Sequence, residues 1–130
     1  MKLKEMIQRL EGLTRQANKI YTAKLGYAIS KNIKTLQEVI KDYDENRVKI
    51  CERYAEKDTD GKACIENDKY VFTAENEKIV NEECADLQDV DQEISILKVP
   101  FSELERCEEI ERYDIPSVSD VNDLMFMIEE

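Results

Sequence analysis

The sequence predicts an α+β fold, with an N-terminal helical hairpin dominated by one long helix, then a small antiparallel sheet with two or three short helices. Three observations predict it. Apolar residues between Leu25 and Tyr54 recur at alternating steps of three and four, as on a helix that buries one stripe. Beyond Lys57 a glycine turn interrupts that pattern, and short runs rich in β-branched and aromatic residues follow. Finally, 42% of the 130 residues are apolar and fall in periodic segments, enough for one core when roughly two thirds of the unfolded surface is buried.

The long helix carries Ile29, Ile33, Leu36, Ile40, Tyr43, Ile50 and Tyr54 on a heptad seam, with Arg47 as its one gap. At 1.5 Å per residue it would be roughly 45 to 50 Å long, more than a domain of this size needs, so part of it must pack against something else. The preceding segment is one candidate, because Leu3, Met6, Leu10, Leu13, Ala17 and Ile20 also follow helical spacing. A break near Tyr21-Thr22, with Thr22 as N-cap, folds the two helices into an antiparallel hairpin. The seam of a homodimer or of a partner complex is the other reading. Gly12 and Gly26 each weaken helix by about 1 kcal/mol relative to Ala and blur the boundaries here.

Asp58-Thr59-Asp60-Gly61 is a turn sequence that ends the long helix at Lys57. Ala63-Cys64-Ile65 and Tyr70-Val71-Phe72, joined through Glu66-Asn67-Asp68, predict a small hairpin. Thr73 caps a helix with Glu75 and Glu77 in its first turn, burying Val80, Cys84 and Leu87. Glu93 to Val99 is the best single strand, ended by Pro100. Ser102 and Glu105 form a capping box for a short helix with Leu104, Cys107 and Ile110. A last helix follows Ile115-Pro116-Ser117 and buries Val121, Leu124, Met125 and Ile128. The whole chain, 1–130, reads as a single domain without internal repeats or a low-complexity linker.

Charge divides this domain in two. Residues 1–57 hold 13 Lys and Arg against 8 Asp and Glu, a net of +5, whereas residues 58–130 hold 6 against 22, a net of −16. The total of −11 disfavours nucleic acid, whose phosphates draw on clustered Lys and Arg. The basic face of the long helix, Lys24, Lys31, Lys34, Lys41, Lys49 and Arg53, is interleaved with Glu38, Asp42, Glu45, Glu52 and Glu56, so pairing along an exposed helix is expected there. Cys51, Cys64, Cys84 and Cys107, spaced 13, 20 and 23 residues apart, match neither a metal knuckle nor a disulfide scaffold and read as reduced, mostly buried thiols. No apolar run reaches the 18 or so residues of a membrane helix, and the first residues lack a signal-peptide stretch, so the bacterial cytosol is expected.

Histidine is absent, which removes the commonest proton-transfer group at neutral pH and the commonest metal ligand. None of the three glycines, Gly12, Gly26 and Gly61, lies in a phosphate-cradling loop. No enzyme, cofactor or small-molecule substrate is expected. Glu56, Asp58, Asp60 and Gly61 occupy positions 1, 3, 5 and 6 of an EF-hand loop, but Asn67 stands at position 12 where the bidentate glutamate belongs, so a helix-ending turn is expected instead of a calcium site. The carboxylates that cluster in the acidic half are the candidate partner-binding set: Glu82, Glu83, Asp86 and Asp89, followed by Asp91 and Glu93, then Glu103, Glu105, Glu108, Glu109 and Glu111. Such a surface can imitate a phosphate backbone and enter the basic channel of a nucleic-acid enzyme; its plain alternative is a solvated face.

The run from Thr22 to Ile33 leads through a charged helix to Glu52-Arg53-Tyr54-Ala55-Glu56-Lys57-Asp58-Thr59-Asp60-Gly61-Lys62, then to Val99-Pro100, and ends on Ile115-Pro116, Asp123-Leu124-Met125 and Met127-Ile128-Glu129-Glu130. This order resembles a family of small proteins encoded by phages and prophages of Firmicutes, a domain of unknown function. The resemblance covers most of the chain. It implies a phage setting and assigns no site. Two functions are expected from it together with the charge pattern: an inhibitor of a host defence protein, of anti-CRISPR or other anti-defence type, or a tail or head morphogenesis factor that self-associates or chaperones a structural protein. In both, the partner is a host or phage protein.

Overall fold

The computed structural model describes residues 1–129. Helix α1 (Leu3–Gln16) and helix α2 (Ala23–Tyr54) form the expected hairpin. Thr22 ends the link between them, its hydroxyl accepting from the Leu25 N–H at 3.4 Å. The link is clamped from outside by Asp114, whose carboxylate accepts from Ile20 N–H at 2.7 Å and whose own N–H returns a bond to the Ile20 carbonyl. That clamp requires an extended Ile20, so α1 stops at Gln16 and not at Ile20, leaving Ala17 and Ile20 exposed. Gly12 is buried inside α1, and a Cβ there would come within 3.0 Å of the Asp123 carboxylate, so the glycine allows the C-terminal part of the chain to approach closely.

The 32 residues of α2 span about 48 Å and are covered in two stages. Over its first two thirds, Leu25, Ala28, Ile29, Leu36 and Tyr43 enter one apolar cluster with Leu3, Met6 and Leu13 of α1 and with Val99, Leu104, Leu124, Met127 and Ile128. Over its last third it packs against helix α3 (Ala74–Gln88), which runs antiparallel: Asn76 donates to the Tyr54 carbonyl and Gln88 to the Tyr43 hydroxyl. Cys51, Ala55 and Val80 are buried there, outside the main cluster. The heptad seam is accordingly buried at Ile29, Leu36 and Tyr43 and half-buried at Ile33, Ile40, Arg47, Ile50 and Tyr54.

Helix α2 ends at Tyr54, three residues before Lys57, because the backbone of Glu56 is taken up in β-type pairing. Its N–H donates to Val71 and its carbonyl accepts from Cys64. The hairpin is shorter than predicted, with β1 (Ile65–Glu66) antiparallel to β2 (Lys69–Tyr70), though Val71 N–H still reaches the Cys64 carbonyl. Asn67 and Asp68 take φ of 51° and 63°, the pair of left-handed residues that closes a two-residue hairpin. Gly61 has φ of 77°, as its turn requires. Thr73 caps α3 by accepting from Asn76 N–H, and Val80 is buried while Cys84 and Leu87 are half-buried.

Three predicted features are corrected. Residues 93–98 form no strand; only Val99–Pro100 does (β3), and it pairs in parallel with Ile128–Glu129 (β4), so Pro100 lies in the strand instead of ending it. Residues 93–98 have strand composition but no neighbouring strand, and their one tie to α2 is a side chain. Leu97 N–H donates to Asn32 Oδ1 at 2.8 Å, and Asn32 Nδ2 donates to the Leu97 carbonyl at 2.9 Å. The capping box lies at Ser117 and Asp120, at the start of helix α5 (Val118–Leu124), and not at Ser102 and Glu105. Ser102 is instead the first residue of helix α4 (Ser102–Glu109), whose N-cap is Phe101. The last helix stops at Leu124, a single 3-10 turn covers Met125–Met127, and Ile128 is buried from β4. Pairing with Val99 demands extended backbone where a longer helix would have run.

Asn32 is fully buried in the first third of α2. Replacing it by Ala removes both bonds and leaves the N–H and C=O of Leu97, in a part-buried setting, without their partner, so Asn32→Ala is expected to lose about 1–3 kcal/mol in urea unfolding. A loss below about 0.5 kcal/mol would show that Leu97 finds other partners.

Candidate functional site

The two acidic sets do not meet. Glu82, Glu83, Asp86 and Asp89 lie on or at the end of α3, beside the stretch of α2 from Tyr43 to Tyr54. Glu103, Glu105, Glu108 and Glu109 lie on α4, whose Cys107 thiol sits against Thr22 at the opposite end of α2. From Thr22 to Tyr43 is 21 residues, or about 31 Å along the axis. Within the α3 set, Glu82 and Asp86 are exposed. Glu83 is half-buried; one of its oxygens accepts from the Tyr54 hydroxyl at 3.1 Å and the other is enclosed without a partner. Asp89 forms an ion pair with Lys2 at 2.7 Å, which also pushes the lysine's pKa up.

Within the α4 set Glu105, Glu108 and Glu109 are exposed, whereas Glu103 is only 3% exposed, with its carboxylate held by Arg106 one turn along. Glu103 therefore turns into the fold and offers nothing to a partner. A carboxylate can be buried here because its charge is matched within the same helix, which the density of acids in the sequence did not reveal.

The exposed side of α3 is the more continuous acidic face. Glu75, Glu77, Glu82 and Asp86 all stand in solvent, and none of them takes part in an ion pair among the described residues. The turn with EF-hand spacing has another occupation: Asp58 Oδ1 accepts from the N–H groups of Asp60 and Lys62, both at 2.9 Å, so its carboxylate closes the loop on itself. Among the described residues no three His, Cys, Asp or Glu side chains are grouped to hold a metal ion. All four cysteines are free; Cys51 and Cys107 are buried, Cys64 and Cys84 half-buried, and burial raises the pKa of the Cys84 and Cys107 thiols.

One polar constellation has no counterpart in the sequence reading. Gln16 Nε2 donates to Asp120 and to Asp123, both at 2.9 Å, while its Oε1 accepts from the Tyr21 hydroxyl at 2.5 Å. Arg15 adds a bond to Asp123 at 2.9 Å, and Asp120 also accepts from Ser117 N–H. The Ser117 and Gln16 donors pull the Asp120 carboxyl below its usual range, and burial, with the nearby charge of Asp120, pushes the Tyr21 hydroxyl well above its own. Every partner is matched, so the network ties α5 to the α1–α2 link. The Ser117-x-x-Asp120 spacing was its only trace in sequence.

An apolar groove of about 700 Å³ runs along the outer side of α2, with Leu10, Ile40 and Val48 at its floor and Lys41, Asp44 and Glu45 at its rim. It lies where α1 ceases to cover the helix. Exposed apolar side chains also gather at the far end, where Ile20 is 62% and Ile115 is 67% exposed on either side of the Asp114 clamp.

Because folding raises the pKa of Tyr21, the native state holds that proton more tightly than the unfolded chain. The corresponding stability is complete below the ordinary tyrosine pKa of about 10 and is lost as pH rises past it. The urea-unfolding free energy is expected to fall between about pH 9 and about pH 11, and less so in Tyr21→Phe, which starts about 1–2 kcal/mol lower; equal slopes would contradict this. No family model, no curated protein and no solved structure matches the chain.

Proposed function

We propose that this chain acts by binding another protein and not by catalysis, as a phage or prophage accessory factor that inhibits a host defence protein. The observation that carries the reading is the solvent face of α3. Glu75, Glu82 and Asp86 lie on one side of the helix within about 16 Å, with Lys78 as the one cation among them, and are free of ion pairs among the described residues. A basic groove built for phosphates would meet there a row of fixed negative charges, and the excess charge of the acidic half would steer the encounter. The absence of histidine supports binding over proton-transfer chemistry. The exposed acids of α4, Glu105, Glu108 and Glu109, form a second and separate acidic face.

The groove on α2 favours a second reading, a virion morphogenesis factor that self-associates or holds a structural protein. Its apolar floor joins Leu10 of α1 to Ile40 and Val48 of the long helix, whose seam is only partly covered by α1 and α3.

Affinity capture from a Firmicute host lysate, with and without infection and at two salt concentrations, separates these readings. The inhibitor reading expects a nucleic-acid-handling defence protein that is lost at higher salt, with Glu82→Lys/Asp86→Lys weakening capture at least about tenfold and Glu105→Lys/Glu108→Lys weakening it less. Recovery of phage structural proteins, or of a salt-insensitive oligomer of the bait, would overturn it in favour of assembly.

A further inference from the structure

From Gln92 to Lys98 the chain runs without turn or bend as a strap across the molecule, and its two edges differ. The inner edge is occupied. Leu97 exchanges two hydrogen bonds with the Asn32 side chain, and Phe101 N–H donates to the Glu129 carbonyl. The outer edge starts as an antiparallel ladder, in which Lys2 bridges Asp91 and Gln92 exchanges backbone bonds with Met1. In extended backbone the N–H and C=O groups of alternate residues share an edge, so those of Ile94, Ile96 and Lys98 continue the outer edge from Gln92. None of these six groups has a partner among the described residues. Pro100, next on the same edge, has no N–H to leave unpaired.

A cleft of about 670 Å³ lies along this segment, lined by Met1, whose ammonium is paired with Asp91, and by Glu93, Ile94, Ser95, Ile96, Lys98 and Phe126. Its middle is apolar and its ends carry opposite charges, negative at Glu93 and positive at Lys98. Extended peptide backbone presents donors and acceptors at the spacing that fits such an edge, and side chains at alternate positions supply the specificity. The two end charges reject a uniformly apolar strand and so restrict what can pair.

We propose that the outer edge of the strap, from Glu93 to Lys98, receives an extended segment of a partner protein as an added antiparallel strand. The segment is acidic at its N-terminal end, opposite Lys98, basic at its C-terminal end, opposite Glu93, and apolar where it faces Ile94 and Ile96. This surface is separate from the acidic face of α3 and does not depend on it.

The test uses the full chain and a blocked hexapeptide, Glu-Thr-Val-Thr-Val-Lys, with its charge-swapped form Lys-Thr-Val-Thr-Val-Glu, and reads amide hydrogen exchange residue by residue by NMR. The first peptide is expected to slow exchange at Ile94, Ile96 and Lys98 by about tenfold or more while leaving Ser95 unchanged, and the swapped peptide to bind several-fold more weakly. Lys98→Glu, an exposed position that spares the core, is expected to abolish the preference, and Glu93→Lys/Lys98→Glu, both exposed, to reverse it. Exchange at the three amides unchanged at millimolar peptide, slowing that includes Ser95 equally, or shifts confined to Leu10, Ile40 and Val48 would each overturn the proposal. Protection that rises with protein concentration before peptide is added would assign the edge to a second copy of the chain and overturn it as well.

Discussion

The side chain of Asn32 is enclosed in the first third of α2, and both halves of its amide are bonded to one residue, Leu97. A buried amide in a helix is tolerable only when its donors and acceptor are satisfied, and here the backbone groups that satisfy it come from an extended strap in a distant part of the chain. The remaining architecture follows from that bond pair. With Leu97 fixed against α2, Val99 and Pro100 are placed beside Ile128 and Glu129, and Met127 is brought within 3.5 Å of the same Asn32 nitrogen. Leu104 and Leu124 then close the cluster over Leu25, Ala28 and Leu36. A leucine at position 32 would fill the space and leave the strap's inner edge without partners.

How much of this could be read from sequence depends on whether the deciding interaction is local. Thr22 and Thr73 cap their helices, Gly61 takes its left-handed turn, and Asn67-Asp68 closes the hairpin, because each rests on residues within four positions. The strap has the composition of a strand, but the partner that occupies its inner edge at Leu97 is a single side chain 65 residues earlier, which no local pattern shows. Ser102-x-x-Glu105 and Ser117-x-x-Asp120 are equivalent as patterns, yet only the second is a capping box, since Phe101 bonds to β4 and sets where α4 begins. Helix α5 is short for a similar reason, its successor being drawn into β-pairing with Val99.

For the candidate site, the sequence located the acids but not their directions. Acids are denser along α4 than along α3, yet the α4 surface is interrupted by Glu103, which Arg106 holds inside the fold. The residues that stabilise the base of the molecule, Gln16 and Tyr21, carry no signature that would separate them from ordinary polar positions, because their partners Asp120 and Asp123 are more than a hundred residues or nearly so away. The acidic half and the basic arm do not form separate bodies. The basic arm supplies the rigid helix, and the acidic half wraps it and presents its carboxylates to solvent from both ends.

Dependence on the stretch of α2 around Asn32 also fixes where the molecule should be firm. The cluster around Asn32 joins α1, the strap, α4 and the C-terminal residues, whereas the last turns of α2 pack against α3, around buried Cys51, Ala55 and Val80 and the bonds of Tyr54 to Asn76 and Glu83. Native-state hydrogen exchange along α2 measures this directly. The greatest protection is expected from Ala28 to Tyr43, approaching that of global unfolding, with markedly faster exchange from Arg47 to Tyr54. Equal protection along the helix, or a maximum in its last third, would contradict the account.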